Sequence, residues 1–202
     1  MSKARSRKDT NIRSHIAYLA ARLMAEDGVA DYGAAKQKAA RQAGLLDAKL
    51  LPDNQEIEAA LREYQSLYQA DDQPAQLRRM REVAVRVMRE FSHFNPALVG
   101  SVLSGTANKF SDVNLHLYAD DAKALTLFLL NHRYKYEEGA RRVRRGDGYV
   151  DVPQFLLEVE GVPVTLTVLD RDHERLAGRS RSEPDAQRAR LPEVEALLGV
   201  NP

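Results

Sequence analysis

Five residues between positions 100 and 116 are of the types found where proteins bind phosphate groups and divalent cations. Gly100 and Ser101 follow a short apolar run, and Asp112, Asn114 and His116 alternate along a second run. A glycine at the end of a strand lets the backbone approach a phosphate, whose oxygens the serine and nearby N–H groups can bind. Because side chains alternate across a strand, the last three residues share one face, where a carboxylate can hold Mg²⁺ against phosphates.

Residues 100–115 resemble the signature of the nucleotidyltransferase superfamily, which has the polymerase-beta-like fold. In that signature a Gly-Ser pair and a turn of small residues precede the pattern Ser-Asp-hydrophobic-Asp-leucine. Three segments stand at roughly the family's spacing: Gly100-Ser101, Gly105-Thr106-Ala107 and Ser111-Asp112-Val113. The resemblance extends over roughly residues 95–170.

The resemblance implies a site for a nucleoside triphosphate, as ligand or substrate, together with Mg²⁺. The residues expected to contact the nucleotide are Gly100, Ser101, Gly105 and Thr106. Asp112 and Asn114 are the expected catalytic pair, and His116 joins them as a candidate metal ligand.

Two departures from the family pattern bear on catalysis. The second aspartate position is occupied by Asn114, whose amide oxygen brings no negative charge. The strand resembling the one that normally bears a third carboxylate offers Thr165 and Thr167 instead, with Asp170 just past its end and Glu158 on the adjacent strand. Because electrostatic stabilisation dominates phosphoryl transfer, these losses predict a rate lower by several orders of magnitude.

His116 has two interpretations. It is either a hydrogen-bonded residue of the strand or part of an altered site with Asp112 and Asn114, which would suit a softer cation. His116 could also act as a general acid or base.

A run of four arginines begins at Arg141 and ends at Arg145. It is either an exposed hairpin or loop, or a phosphate contact to a nucleotide or to RNA, and Arg144 is its candidate nucleotide ligand. The nearby tyrosines, including Tyr149, could stack on bases. Residues 1–11 form a second basic segment, predicted as a flexible arm that is either solvated or a weak RNA contact.

Hydrophobic periodicity predicts an α+β fold, with a helical N-terminal half followed by a nucleotidyltransferase-like mixed sheet and flanking helices. Helices are expected over residues 12–28, 32–43, 54–68, 77–94, 122–131 and 191–198, and strands over 97–102, 113–118, 134–138, 155–160 and 162–169. The predicted organisation is an arm (1–11), a helical region (12–94), an α/β domain (95–172) and a C-terminal tail with a short helix (173–202).

Composition excludes several classes of function. The 202 residues include no cysteine, which removes disulfides, thiolate nucleophiles and cysteine-based zinc sites. The net charge is only +1, so any nucleic-acid binding depends on local basic clusters. With no secretory signal and no apolar run of about 18 residues, we expect a cytoplasmic protein without a membrane partner.

Three hypotheses follow. The first is an active, Mg²⁺-dependent nucleotidyltransferase acting on a hydroxyl of RNA, protein or a small molecule. The second, which we favour, is a protein of this fold that binds a nucleotide or RNA phosphate with weak or lost transfer. The third is a non-catalytic interaction protein that uses its helical half.

Overall fold

The structure, a computed structural model, describes residues 2–45, 50–119, 121–145, 148–171 and 187–199, with the side chains of 2–8 and 144–145 outside that description. Its helices and strands confirm the predicted α+β class. A helical N-terminal half precedes a mixed sheet, which has five strands in the described residues. No helix in these ranges has both the length and the apolar character needed to cross a membrane.

Four helices make up the N-terminal half. They are α1 Ser2–Glu26, α2 Tyr32–Gln42, α3 Asn54–Tyr68 and α4 Gln73–Glu90. The helix α1 begins at Ser2, so residues 2–11 are helical where the sequence predicted an arm. Lysine, arginine and alanine are good helix formers, and the apolar spacing from Ile12 onward lets the helix extend backwards through them.

Side-chain caps and alanine packing determine the arrangement of α1, α2 and α3. Asp31 accepts a hydrogen bond from the Ala34 N–H, and Asp53 and Glu56 form a reciprocal capping box. The three helices share one buried cluster, in which small alanines let the backbones come close; it includes Ile16, Ala20, Ala21, Ala35, Ala39, Ile57 and Leu61.

The sheet is built from β1 Ala97–Val99, β2 Val113–Tyr118, β3 Tyr136–Arg145, β4 Gly148–Val159 and β5 Val162–Leu169. The strand order is β1-β2-β5-β4-β3, with β2 and β5 parallel and the other pairs antiparallel. Three short helices complete the fold: α5 Ser101–Ser104, α6 Ala122–Asn131 and α7 Leu191–Leu197.

Two predicted elements are corrected. The strand expected over 97–102 ends at Val99, because Gly100 turns the chain into α5. The basic run at 141–145 is not a loop: it belongs to β3 and pairs with β4 along its whole length. Arginine can occupy a strand when its aliphatic stem lies along the sheet and its charge stays in water.

The chain forms two compact units that are interleaved in sequence. One contains Met1–Gln76 and Thr106–Ser111, and the other contains Leu77–Gly105 and Asp112–Pro202. We call them the helical unit and the sheet unit. In the sheet unit one face of β2 carries Val113, Leu115 and Leu117, and the other carries Asn114, His116 and Tyr118. Asn114 is half-buried and the other five residues are buried.

Candidate functional site

The turn between β1 and α5 has a backbone geometry that requires glycine. Gly100 has φ 74° and ψ −155°, a region that other residues rarely occupy. One helical turn follows: the Ser104 N–H donates to the Gly100 carbonyl, and Gly105 ends the turn at φ 88°. The first N–H groups of such a turn have no partner within the helix, so they can bind an acceptor from outside it.

Arg81, on α4, holds the other end of α5. Its guanidinium donates to the carbonyls of Val102 (3.1 Å) and Leu103 (3.4 Å), which are C-terminal groups of a short helix. Burial lowers the pKa of Arg81, although a guanidinium remains charged at neutral pH. Sequence reasoning missed this residue, because its spacing of about 20 residues from α5 leaves no local signal.

Asp112, Asn114 and Gly100 come together at one end of the central strands. Asn114 is the register partner of Val99 on β1 and of Thr165 on β5. Its Nδ2 donates to the Asp112 carbonyl at 3.2 Å, and a Cβ at Gly100 would lie 3.9 Å from the Cβ of Asn114. The Asp112 carboxylate accepts a hydrogen bond from the Thr165 hydroxyl at 3.4 Å. Gly100 in the turn, Asp112 and Asn114 at the start of β2, and Thr165 on β5 therefore form a partly buried cluster.

His116 lies on the same face but further along the strand. It is the register partner of Ala97 and Thr167, and only 6% of its surface is exposed. It lies four positions after Asp112, which corresponds to about 13 Å between their Cα atoms along a strand. Ligands of one Mg²⁺ or Ca²⁺ ion lie within about 2.6 Å of it. This spacing does not favour Asp112 and His116 as ligands of a single ion.

Asp112 is the one carboxylate that the described residues place in this cluster. Glu158 lies in the same row of the sheet but two strands away, about 10 Å by strand spacing. Asp170 follows the far end of β5, about 23 Å along the strand direction. The described part of the chain contains no group of three or more histidine, aspartate or glutamate side chains suited to a metal. A single carboxylate can bind one hydrated cation weakly, which is less than a two-metal centre requires.

Thr106 and Gly105, predicted to contact the nucleotide, have separate structural roles. Gly105 ends α5, whereas Thr106 belongs to the helical unit and is 1% exposed. The Thr106 carbonyl accepts a hydrogen bond from the Gln65 side chain at 2.9 Å. Burial raises the pKa of the Tyr32 phenol, and a hydrogen bond with Thr106 opposes that shift. Thr106 is thus held by hydrogen bonds with Tyr32 of α2 and Gln65 of α3.

Side-chain amides hold the rest of the segment 106–111 within the helical unit. Gln73 donates to the Ala107 carbonyl at 3.0 Å, and Asn108 donates to the Met24 carbonyl at 2.9 Å. Both ends of this segment continue directly into site residues, Gly105 on one side and Asp112 on the other. Sequence reasoning missed these contacts, because a glutamine on a helix does not indicate which carbonyl it will reach.

Arg144, the other predicted nucleotide ligand, is the register partner of Tyr149 in the β3–β4 pair. Its side chain lies outside the described residues, as do the basic side chains of residues 3–8. The RNA contacts expected from these two segments remain predictions.

Comparisons with protein-family models, with curated proteins and with solved structures find no match for this chain. The candidate site therefore rests on its residues and their geometry alone.

Proposed function

We propose that this protein binds the phosphate groups of a nucleotide at the Gly100–Ser101 turn, with weak or no nucleotidyl transfer. The observation that carries the proposal is the position of this turn beside Asn114, which donates a hydrogen bond to the Asp112 carbonyl. The Asp112 carboxylate in turn accepts a hydrogen bond from a threonine, at a position where the family pattern has another acid. The cluster around Asp112 thus supports both phosphate binding and the loss of transfer.

The phosphate-binding part rests on the backbone. A turn with free N–H groups attracts anions, because the N–H dipoles point towards the ligand. Glycine at position 100 has no side chain to block a phosphate at this turn, and the half-buried Ser101 supplies a hydroxyl at the first position of α5. Mg²⁺ bridging Asp112 to the phosphates would offset the repulsion between the carboxylate and the ligand.

The weakness of transfer rests on charge. Asn114 and Thr165 flank Asp112, and both are neutral. Two-metal phosphoryl transfer needs several carboxylates to hold both cations against the attacking and leaving oxygens. One carboxylate leaves the developing charge largely uncompensated, so binding is favoured over turnover.

Thermal unfolding tests the binding. Each of ATP, GTP, CTP and UTP is added with and without Mg²⁺, and at a hundred times Kd the ligand stabilises the folded protein by about 2.7 kcal/mol. For a chain of this size that shifts Tm by roughly 5–11 °C. Ser101→Ala removes one hydrogen bond to a charged group and should weaken binding about 10- to 100-fold.

Ser104→Ala is the matched control, because Ser104 lies at the opposite end of the same helical turn, where its hydroxyl makes a long contact of 3.5 Å to the Ser101 carbonyl. It should leave the nucleotide shift unchanged. Equal losses in the two variants, or no shift with any nucleotide, would refute the proposed site.

Asp112→Asn separates the direct and the metal-bridged modes of binding. Removing the carboxylate should strengthen binding without Mg²⁺ and abolish the additional effect of Mg²⁺. Pyrophosphate release from labelled nucleotides provides the assay for the alternative, an active transferase. Turnover that depends on Asp112 would replace the proposal with that alternative.

A further inference from the structure

The β3–β4 pair extends beyond the rest of the sheet as a two-stranded ribbon. Residues 136–145 of β3 pair with 148–157 of β4, but β5 pairs only with 154–159 of β4. Within the part of the chain that the structure describes, the pairs from Ala140–Pro153 to Arg145–Gly148 therefore have no third strand beside them. We call residues 140–145 with 148–153 the ribbon.

The two faces of the ribbon differ in exposure. One face packs inward: Val143 and Val152 contact a buried cluster of Ala97, Tyr118 and Leu169. The other face is open to solvent, with Tyr149 69% exposed and the Arg142 side chain 72% exposed. Because side chains alternate along a strand and the valine face is packed, the opposite face of the ribbon is the one available to a partner.

The ribbon is basic although the chain as a whole is nearly neutral. Residues 140–153 contain four arginines and no lysine against two aspartates, a net charge of +2, whereas the whole chain carries +1. The register places Arg142 and Arg144 on the open face with Tyr149 and Asp151, and it places Arg141 and Arg145 on the valine face. Arginine suits phosphate because its planar guanidinium can form two parallel hydrogen bonds. Arg142 is paired with Asp151 at 3.3 Å, and a pair this exposed is weak enough for a phosphate to displace.

The exposed ring of Tyr149 is suited to stacking on a nucleic-acid base. Tyr149 is the register partner of Arg144 near the end of the ribbon, and no aromatic ring of the described residues stacks on it. A large, flat side chain that is mostly in water gains little from the fold itself. Its ring can stack on any base, which is how proteins bind unpaired nucleotides without sequence preference.

We infer that the open face of the ribbon binds single-stranded nucleic acid, with phosphates on its arginines and a base stacked on Tyr149. Duplex binding is disfavoured, because a base can stack on Tyr149 only when it is not already stacked and paired within a duplex. The inference is independent of the nucleotide site at Gly100–Ser101, since none of its residues takes part.

Fluorescence anisotropy of the full chain tests the inference, with labelled oligouridine RNA, oligothymidine DNA and a duplex of equal length as probes. Both single strands should bind more tightly than the duplex, and a difference between them would identify RNA or DNA as the preferred source. Tyr149→Ala should weaken binding about 5- to 100-fold, whereas Tyr149→Phe, which keeps the ring, should not.

Two charge variants act in opposite directions. Arg142→Ala should lower the slope of log K against log salt by about 0.7 if Arg142 contacts one phosphate. Asp151→Asn removes the competing carboxylate and should tighten binding. The matched control is Arg78→Ala, because Arg78 forms a similarly exposed pair with Glu82 on α4, and it should change nothing.

Equal affinity for duplex and single strands, or wild-type affinity in Tyr149→Ala, would overturn the inference. So would displacement of the RNA by polyglutamate at matched charge, which would indicate an acidic protein as the partner. The same variants are assayed for the nucleotide-induced Tm shift, which they should retain. If the wild-type protein binds RNA but nucleotides do not raise its Tm, only the proposed nucleotide site is refuted.

Discussion

Asn114→Asp is the most informative single change at the candidate site, because it restores the acid whose absence argues against catalysis. Asp112 and Asn114 are two strand residues apart, so their carboxylates would lie about 6 Å from each other. At that distance the repulsion is about 0.7 kcal/mol at the dielectric constant of water and about 3 kcal/mol at an effective value of 20. Since both positions are half-buried, we expect unfolding to become easier by about 1–3 kcal/mol in the absence of metal.

Mg²⁺ should reverse that loss. A cation shared by the two carboxylates removes their repulsion, and at ten times its Kd it also stabilises the folded state by about 1.4 kcal/mol. Urea unfolding of wild type and variant, each with and without Mg²⁺, measures both effects. The matched control is Asn131→Asp, which adds the same charge at an exposed position on α6. If Mg²⁺ stabilises Asn114→Asp no more than Asn131→Asp, the cluster around Asp112 is not a cation site.

Two further predictions concern the helical unit. Gln65→Leu removes the buried donor to the Thr106 carbonyl and should lower the free energy of unfolding by about 1–3 kcal/mol in urea; an unchanged value would mean that this contact contributes nothing to stability. The hydrogen bond from Tyr64 to the Glu26 carboxylate, together with burial, raises the pKa of Tyr64 to about 12. An unfolded tyrosine titrates near pH 10, so this stabilisation is complete below about pH 10 and is lost as pH rises towards 12. Tyr64→Phe should be less stable at neutral pH and lack that alkaline loss, and identical pH profiles of the two proteins would contradict the assignment.

Local patterns were sufficient to predict the elements around the site. The strands at 113–118 and 162–169 and the helix at 122–131 occur at the predicted bounds. In each case a regular apolar pattern is closed by a clear signal, such as the Asp121 side chain that caps α6.

Long-range contacts account for what the sequence did not reveal. The apolar residues after Val99 suit a strand or a helical turn equally, and the backbone angles of Gly100 decide between them. The arginines of β3 form a strand only because β4 pairs with them, and that partner is not indicated by their own composition. The contact from Gln65 to Thr106 joins residues 41 positions apart, so the assignment of 106–111 to the helical unit had no local signature.

That assignment has a consequence for synthesis on the ribosome. The helical unit includes Thr106–Ser111, so the carbonyls that Gln65 and Gln73 bind are made some 30 or more residues after those side chains. The first 76 residues therefore emerge before all their partners exist, and β1 and α5 emerge before the helical unit can be completed. A fragment ending after Phe94 would leave the buried Gln65 amide without its acceptor, so this half of the chain cannot be separated by a single cut without loss of stability.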